Sequence, residues 1–225
     1  MKRFLDIVVS LVGIILLSPL WVVAACLVKL TSRGPVFFRQ ERMGRQFRPF
    51  FIYKFRSMVQ DAPKQGSLVT FGADPRITPV GHILRATKID ELPQLINVLK
   101  GEMSLVGPRP EVRKYVEMFR ADYEEILRVR PGITDPASVK YRNEAEILGQ
   151  AEDPEKEYVT HVLPEKIRLA KEYARRPTLG QDMMILFKTL LAVLHHRNPP
   201  PAATEGNGPA ATSQDRQTAK DGVTP

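Results

Sequence analysis

From Phe4 to Val28 the chain is almost unbroken apolar sequence, FLDIVVSLVGIILLSPLWVVAACLV, and no other stretch limits its fold so sharply. About 20 such residues suffice for a helix to cross the hydrocarbon core of a bilayer. Helix is the only local option, because the membrane interior offers backbone groups no partner outside the segment. Ser18-Pro19 falls inside the run, and a proline there withdraws a backbone hydrogen bond and kinks or breaks the helix. Two forms follow. The segment is a kinked spanning helix, which its apolar length favours, or a helix-break-helix that enters and leaves by one face. Lys2 and Arg3 before it, with Lys29 and Arg33 after it, are compatible with both ends on the cytoplasmic side. The Val23-Ala24-Ala25-Cys26 run loosely imitates a lipoprotein signal. However, the apolar stretch exceeds the roughly 7 to 15 residues of a signal core and continues past the cysteine.

Charge is gathered just beyond this segment. The formal net charge is +8, and between Lys29 and Arg56 eight basic residues (Lys29, Arg33, Arg39, Arg42, Arg45, Arg48, Lys54, Arg56) stand against Glu41 alone. A basic belt beside an apolar segment suits anionic membrane lipid, each Lys or Arg near the surface contributing about 1 kcal/mol. No recognition helix, zinc-finger spacing or aromatic RNA-binding motif accompanies it, so nucleic acid is not an expected partner. The single Cys26 excludes an internal disulfide framework and a cysteine zinc cluster.

Residues 88–111, KIDELPQLINVLKGEMSLVGPRPE, are the stretch richest in chemistry. Leu92, Leu95, Ile96 and Leu99 recur at helical spacing, Pro93 is tolerated only in a first turn, and Gly101 supplies a stop. Asp90 and Glu91 then sit at the positive end of a short helix, a place that suits carboxylates, phosphates and cation-bridged pairs of the two. An acid before Glu-Pro is also how ordinary helices are capped, and both readings stand. The loop that follows, Gly107-Pro108-Arg109-Pro110, is stiff and basic.

Upstream, residues 35–58 read as two strands around Met43-Gly44, with Pro49 at an edge or delaying the second. Lys54 and Arg56, two apart, share a face and form a candidate phosphate grip; a solvated face is the alternative. Residues 59–87 are turn-rich and form an excursion, ending in Asp74-Pro75-Arg76-Ile77-Thr78; Arg85 stands five positions before Asp90. Downstream, 111–128 has the apolar spacing of one amphipathic helix. Arg130 precedes a Pro131-Gly132 turn, and residues 139–176 are charged and helical in pattern, interrupted at Pro154 and Pro164. His161 has no ligand-spaced partner and is expected to be structural. Thr178 caps a final apolar-faced helix running to Leu194, which packs on the domain or lies at the membrane interface.

IDELPQLINVLKGEMSLVGPRP, KRFLDIVVSLVGIILLSPL, KFRSM at 54–58 and RPGIT at 130–134, in this order, resemble the bacterial sugar transferases. These are the monotopic phosphoglycosyl transferases that begin polysaccharide and glycoconjugate synthesis on a polyprenyl phosphate. The resemblance runs from about residue 2 to about residue 194. It implies a re-entrant helix broken at Ser18 and Pro19, and a catalytic domain on the cytoplasmic face of the bacterial inner membrane. It further implies transfer of a sugar 1-phosphate from a UDP-sugar to polyprenyl (undecaprenyl) phosphate with release of UMP. Asp90 would be the nucleophile and Glu91 the ligand of Mg2+. Lys54, Arg56, Arg85, Arg109, Arg130, Gly132 and Thr134 would contact substrate. Where the family usually continues with a second glycine and a Trp-Ala-Gln-like run, this chain has Asp135-Pro136-Ala137-Ser138.

The expected fold is α+β and mostly helical: a membrane helix over 1–30, a catalytic domain with a small β-hairpin over 31–196, and a disordered tail over 197–225. A non-catalytic scaffold of a glycan assembly complex is the alternative function. No feature of the chain sets an oligomeric state.

Overall fold

The computed structural model of the protein describes residues 1–62, 69–72 and 74–194, and the expected tail at 197–225 lies outside the described residues. The apolar segment forms one helix, α1 (Lys2–Thr31), with Pro19 inside it. The two helices expected on either side of Ser18-Pro19 are therefore continuous in backbone conformation. The cause is local. Proline has no N–H to offer the carbonyl four residues back, that of Ile15, and the Ser18 hydroxyl donates to the same oxygen at 2.8 Å.

Helix α1 lies against the rest of the chain along a narrow strip. Its buried residues are Asp6, Ser10, Ala24 and Val28, while Phe4, Ile15, Leu16, Val22 and Leu30 are exposed. Both ends are fastened. At the start, Lys2 donates to Asp182 (2.5 Å), to the Val106 carbonyl (2.9 Å) and to the Tyr173 hydroxyl (3.0 Å). Arg3 donates to the carbonyls of Val98 and Leu99, and Asp6 accepts from Ser104 Oγ and the Leu105 N–H, both at 3.1 Å. At the far end, Trp21 meets Phe55 edge-on with centroids 5.8 Å apart, and the carbonyl of Ser32, just past the helix, accepts from Arg56 at 2.8 Å.

The expected hairpin is β1 (Phe37–Met43) with β2 (Pro49–Phe55), antiparallel, Phe38 opposite Lys54 and Pro49 opening the second strand. Thr78 caps α2 (Pro79–Ala86) by accepting from the Gly81 N–H at 3.0 Å. A 3-10 turn, Ile89–Glu91, and α3 (Gln94–Lys100) follow, and Gly101 ends α3 at φ +83° as the sequence predicts. The acids thus occupy a turn of their own before α3, with Pro93 as the residue preceding it.

One pairing had no sequence signal. β3 (Ser104–Val106) runs parallel to β4 (Gly132–Thr134), each only three residues long. The helix expected over 111–128 is two, α4 (Arg113–Met118) and α5 (Arg120–Ile126), because Phe119 leaves helical geometry at φ −117°, ψ 39°. The apolar face survives the break: Tyr115, Val116, Tyr123 and Ile126 are buried together with Leu148, Leu163 and Ile167.

Beyond β4 come α6 (Pro136–Lys140), α7 (Glu144–Gly149) and α8 (Pro154–Glu157). A π-helical turn, Tyr158–Val162, leads directly into α9 (Leu163–Arg175), so Pro164 does not interrupt the chain of helices; it sits in the first turn of α9, where no N–H is needed. Helix α10 (Leu179–Leu194) begins as expected, with Gln181 N–H donating to Thr178 Oγ1 at 3.2 Å. It buries Asp182 and Ile185 but leaves Met183, Met184, Phe187 and Leu190 exposed, so the face with the strongest apolar periodicity is turned outward. The architecture is α+β, as expected.

Gly132 has a defined task here. A Cβ built on it would stand 2.1 Å from the Gly107 nitrogen, so β3 and β4 approach closely only because both residues lack side chains. We expect Gly132→Ala to lower stability by about 3 kcal/mol or more, since backbone has to move to admit the methyl. A thermal melt unchanged from wild type would show that the strands adjust freely.

Candidate active site

The site is assembled by three parts of the chain converging on the Ile89–Glu91 turn. Lys88, just before it, holds a left-handed conformation at φ +60°, uncommon for a residue with a side chain. That conformation reverses the path from α2 and presents Asp90 and Glu91 side by side. From β2, Lys54 donates to Glu91 Oε1 at 2.9 Å. From the loop after β3, Arg109 forks onto the same carboxylate, Nη1 to Oε2 at 3.1 Å and Nη2 to Oε1. That loop is held by Asp135, which accepts from the Arg109 N–H at 3.1 Å and caps α6 through the Ser138 N–H at 2.6 Å.

The two acids differ sharply in environment. Asp90 is 5% exposed, and its Oδ1 has no hydrogen-bond partner among the described residues. Burial, reinforced by the neighbouring Glu91 charge, raises its pKa above the ordinary carboxylate value, against the pull of Lys54 and Arg85. For Glu91 burial acts the same way, but Arg109 and Lys54 together outweigh it and hold the group well below the usual range. Lys54 is lowered by burial, partly offset by Glu91; Arg109 is raised by Glu91. One carboxylate is therefore tied down and ionised, and its neighbour is desolvated and unengaged. An unengaged, desolvated carboxylate is poised to be a nucleophile toward an electrophile whose charge is neutralised nearby.

Both acids open on a cavity of about 850 Å³. Lys54, Arg56, Arg85, Arg109 and Thr134, all expected to meet substrate, line it. Arg130 and Gly132 do not. The Arg130 Nε donates to the Gly101 carbonyl at 2.9 Å, bracing the end of α3, and Gly132 is the packing residue described above. Ser18 and Pro19 are likewise not among the residues that line the cavity. Lys54 and Arg56 both reach the cavity but serve different partners, Glu91 and Ser32.

The sequence reading missed a second polar wall of the same cavity, formed by Glu111, Tyr141, Glu144, Tyr158 and Lys166. Its charges are matched internally. Arg42 pairs with Glu111 at 3.0 Å, Lys166 with Glu144 at 2.6 Å, and the Tyr158 hydroxyl donates to Glu111 at 2.9 Å. Lys166 and Glu144 meet across 22 residues, which leaves no local pattern to read.

An α+β domain fastened along an apolar helix, with a buried acid pair and several cations around one cavity, is a site suited to binding phosphate groups. The model of the family described as bacterial sugar transferase matches residues 1–196, and the chain belongs to that family. It is 41% identical over 198 residues to the UDP-N-acetylgalactosamine-undecaprenyl-phosphate N-acetylgalactosaminephosphotransferase of Aeromonas hydrophila, covering 86% of this chain and 43% of that one. It is 39% identical over 195 residues to the UDP-glucose:undecaprenyl-phosphate glucose-1-phosphate transferase of Escherichia coli K12, covering 84% of this chain and 39% of that one. Exopolysaccharide production protein ExoY of Sinorhizobium fredii is 32% identical over 207 residues, with 85% and 84% of the two chains covered. The chain thus spans about two fifths of the length of the first two relatives.

The depressed Glu91 has a consequence for stability. Its pairing contributes fully above the unfolded value, about 4.3, and is lost as pH falls through that value toward the lower folded one. We expect wild type to lose stability between about pH 5 and pH 3 more steeply than Glu91→Gln, in which that titration is absent. Equal slopes in denaturant melts of the two proteins would mean that Lys54 and Arg109 contribute nothing through Glu91.

Proposed function

We propose that the protein transfers a sugar 1-phosphate from a UDP-sugar to polyprenyl phosphate, releasing UMP, as the first membrane step of polysaccharide or glycoconjugate synthesis. The observation that carries this is the buried Asp90 carboxylate, unengaged beside an ion-paired Glu91 in a cation-lined cavity, on a chain of this family. An Asp90 oxygen attacks the β-phosphorus of the donor. A phosphorus–oxygen bond forms, the bond from that phosphorus to the bridging oxygen breaks, and UMP leaves with the electron pair. A phosphate oxygen of the lipid then attacks the same phosphorus and returns Asp90 as a carboxylate. Lys54, Arg85 and Arg109 offset charge on the phosphates, which two anions approaching each other require. The paired wall of Glu111, Tyr158, Lys166 and Glu144 brings no uncompensated charge and suits the neutral sugar.

Among the described residues no group of three or more His, Cys, Asp or Glu could hold a metal. The donor set nevertheless fits Mg2+ arriving with the diphosphate, because that ion commonly binds through one or two carboxylates plus substrate phosphates and water. Glu91 would hold it, with Asp90 adjacent. When bound, the ion supplies charge neutralisation at the diphosphate.

For topology, the reading takes α1 as re-entrant, with both ends on the cytoplasmic side of the bacterial inner membrane. Both ends are tied to one body, and both flanks are basic. Single cysteines at residues 2 and 60, with Cys26 replaced, should both resist labelling from outside intact spheroplasts. Labelling at residue 2 alone would establish a spanning helix.

The catalytic assignment is tested by Asp90→Asn. The Asp90 side chain caps neither its own turn nor α3, and Asn is nearly the same size and shape, so the fold survives and only the attacking atom is lost. Activity, read as UMP release from a panel of UDP-sugars, should fall by several orders of magnitude. Wild type given donor without acceptor should carry a phosphosugar on the Asp90 peptide, detectable by mass. Near-normal turnover of Asp90→Asn, or an adduct on another peptide, would overturn the assignment.

A further inference from the structure

Most cations around the cavity are already committed to a carboxylate: Lys54 and Arg109 to Glu91, Arg42 to Glu111 and Lys166 to Glu144. Lys88 is different. It lines the same cavity, its charge acts on both Asp90 and Glu91, and its side chain has no hydrogen bond or ion pair among the described residues. It is also exposed, which puts its ammonium where the cavity meets water. A solvated surface lysine would share that exposure, but not the backbone. At φ +60° a glycine or asparagine would form this turn with less strain, so what the position gains from lysine is its side chain.

The reaction creates a charge that needs such a group. In a UDP-sugar the α-phosphate is a diester with one negative charge. When the bond from the β-phosphorus to the bridging oxygen breaks, the electron pair stays on that oxygen, and UMP leaves as a monoester carrying about 1.5 to 2 negative charges near pH 7. Lys54 and Arg109 cannot follow it without releasing Glu91, and Arg85 is half-buried. A lysine on a flexible stem with no partner can follow, and it stands on the water side, by which a soluble nucleotide departs. The ammonium stays protonated throughout.

We propose that Lys88 is the leaving-group contact: it binds the α-phosphate of the donor and holds the charge that accumulates there as UMP departs. The proposal rests on the transferase reading above, and names a residue that serves only the first half of the reaction.

The two halves separate kinetically, because with a covalent intermediate kcat/KM for the donor reports UMP release and kcat/KM for the acceptor reports the second transfer. Wild type, Lys88→Gln, Lys88→Gly and Lys88→Arg are compared with undecaprenyl phosphate in detergent micelles and whichever of UDP-glucose or UDP-N-acetylgalactosamine wild type turns over. Donor kcat/KM should fall about tenfold or more in Lys88→Gln and Lys88→Gly, with the acceptor value within about threefold of wild type and Lys88→Arg recovering most of the loss. Equal losses for both substrates, a loss for the acceptor alone, or no loss would overturn the proposal. Lys88→Gly relieves the backbone strain, so its loss is not one of fold; should it fold poorly, Lys88→Asn, which also tolerates this conformation, takes its place. A second readout needs no turnover. UMP should raise the melting temperature of wild type more than uridine does, and Lys88→Gly should remove most of that difference; an undiminished difference would also overturn the proposal. Absence of UMP release by wild type from any UDP-sugar would sink the transferase reading instead, and leave Lys88 to be judged by the melts.

Discussion

The carboxylate of Glu91 is the point on which the domain is hung. Lys54 reaches it from the hairpin and Arg109 from the loop after β3, while Glu91 itself belongs to the turn between α2 and α3. Other bonds join these parts in pairs, Arg42 to Pro110 and Glu111 and Asn97 to Phe51 and Tyr53, but Glu91 is where all three meet. Two cations on one anion leave a positive excess, and Asp90 stands inside that field. The same arrangement that organises the chain therefore sets the chemistry. Holding Glu91 ionised at the cost of its solvation raises its neighbour, and burial of Asp90 keeps water from quenching it.

The second constraint is the attachment of α1. A helix of 30 residues with mostly exposed apolar faces has no reason to lie along a polar domain unless its contact strip is specific. The strip is specific because it mixes packing with buried polar bonds. Gly13 lets Leu95 approach to 3.4 Å of where a Cβ would sit, Asp6 takes two donors from the start of β3, and Arg3 closes the end of α3. Helix α3 is thereby caught between α1 and the hairpin, where Asn97 donates to the Phe51 carbonyl and accepts from the Tyr53 N–H. Any shift of α1 along its axis would pass through α3 to the acid-bearing turn beside it.

Much of this was visible in the residues. Apolar length, the hairpin, the Gly101 stop and the Thr178 cap are local signals, and local signals survive into the structure. Arg130 shows the opposite case. Beside a Pro-Gly turn it has the look of a substrate contact, but its direction is decided by the β3–β4 pairing, which brings 104–106 beside 132–134 and turns the side chain toward Gly101. Strands of three residues carry no periodicity, so that pairing left no trace to read. Pro164 was misjudged for a related reason. A proline stops a helix only where its N–H is needed, and the π-turn before it frees a first-turn position. The polar cavity wall escaped notice because ion pairs such as Lys166 with Glu144 exist only after the chain has folded.

The bond from Lys2 to Asp182 spans 180 residues of sequence. At a synthesis rate of about 5 to 20 residues per second, Asp182 emerges roughly ten to forty seconds after Lys2. Throughout that interval Lys2 lacks its carboxylate partner, whereas the two carbonyls that Arg3 meets lie only 95 and 96 residues on and are made about halfway through it. Arg3 is then taken up by two carbonyls of α3, and Lys2 by the Asp182 carboxylate only once α10 has been made. Lys2 is thus a loose cation beside an apolar helix until α10 exists, and one of that helix's fixed attachments afterwards.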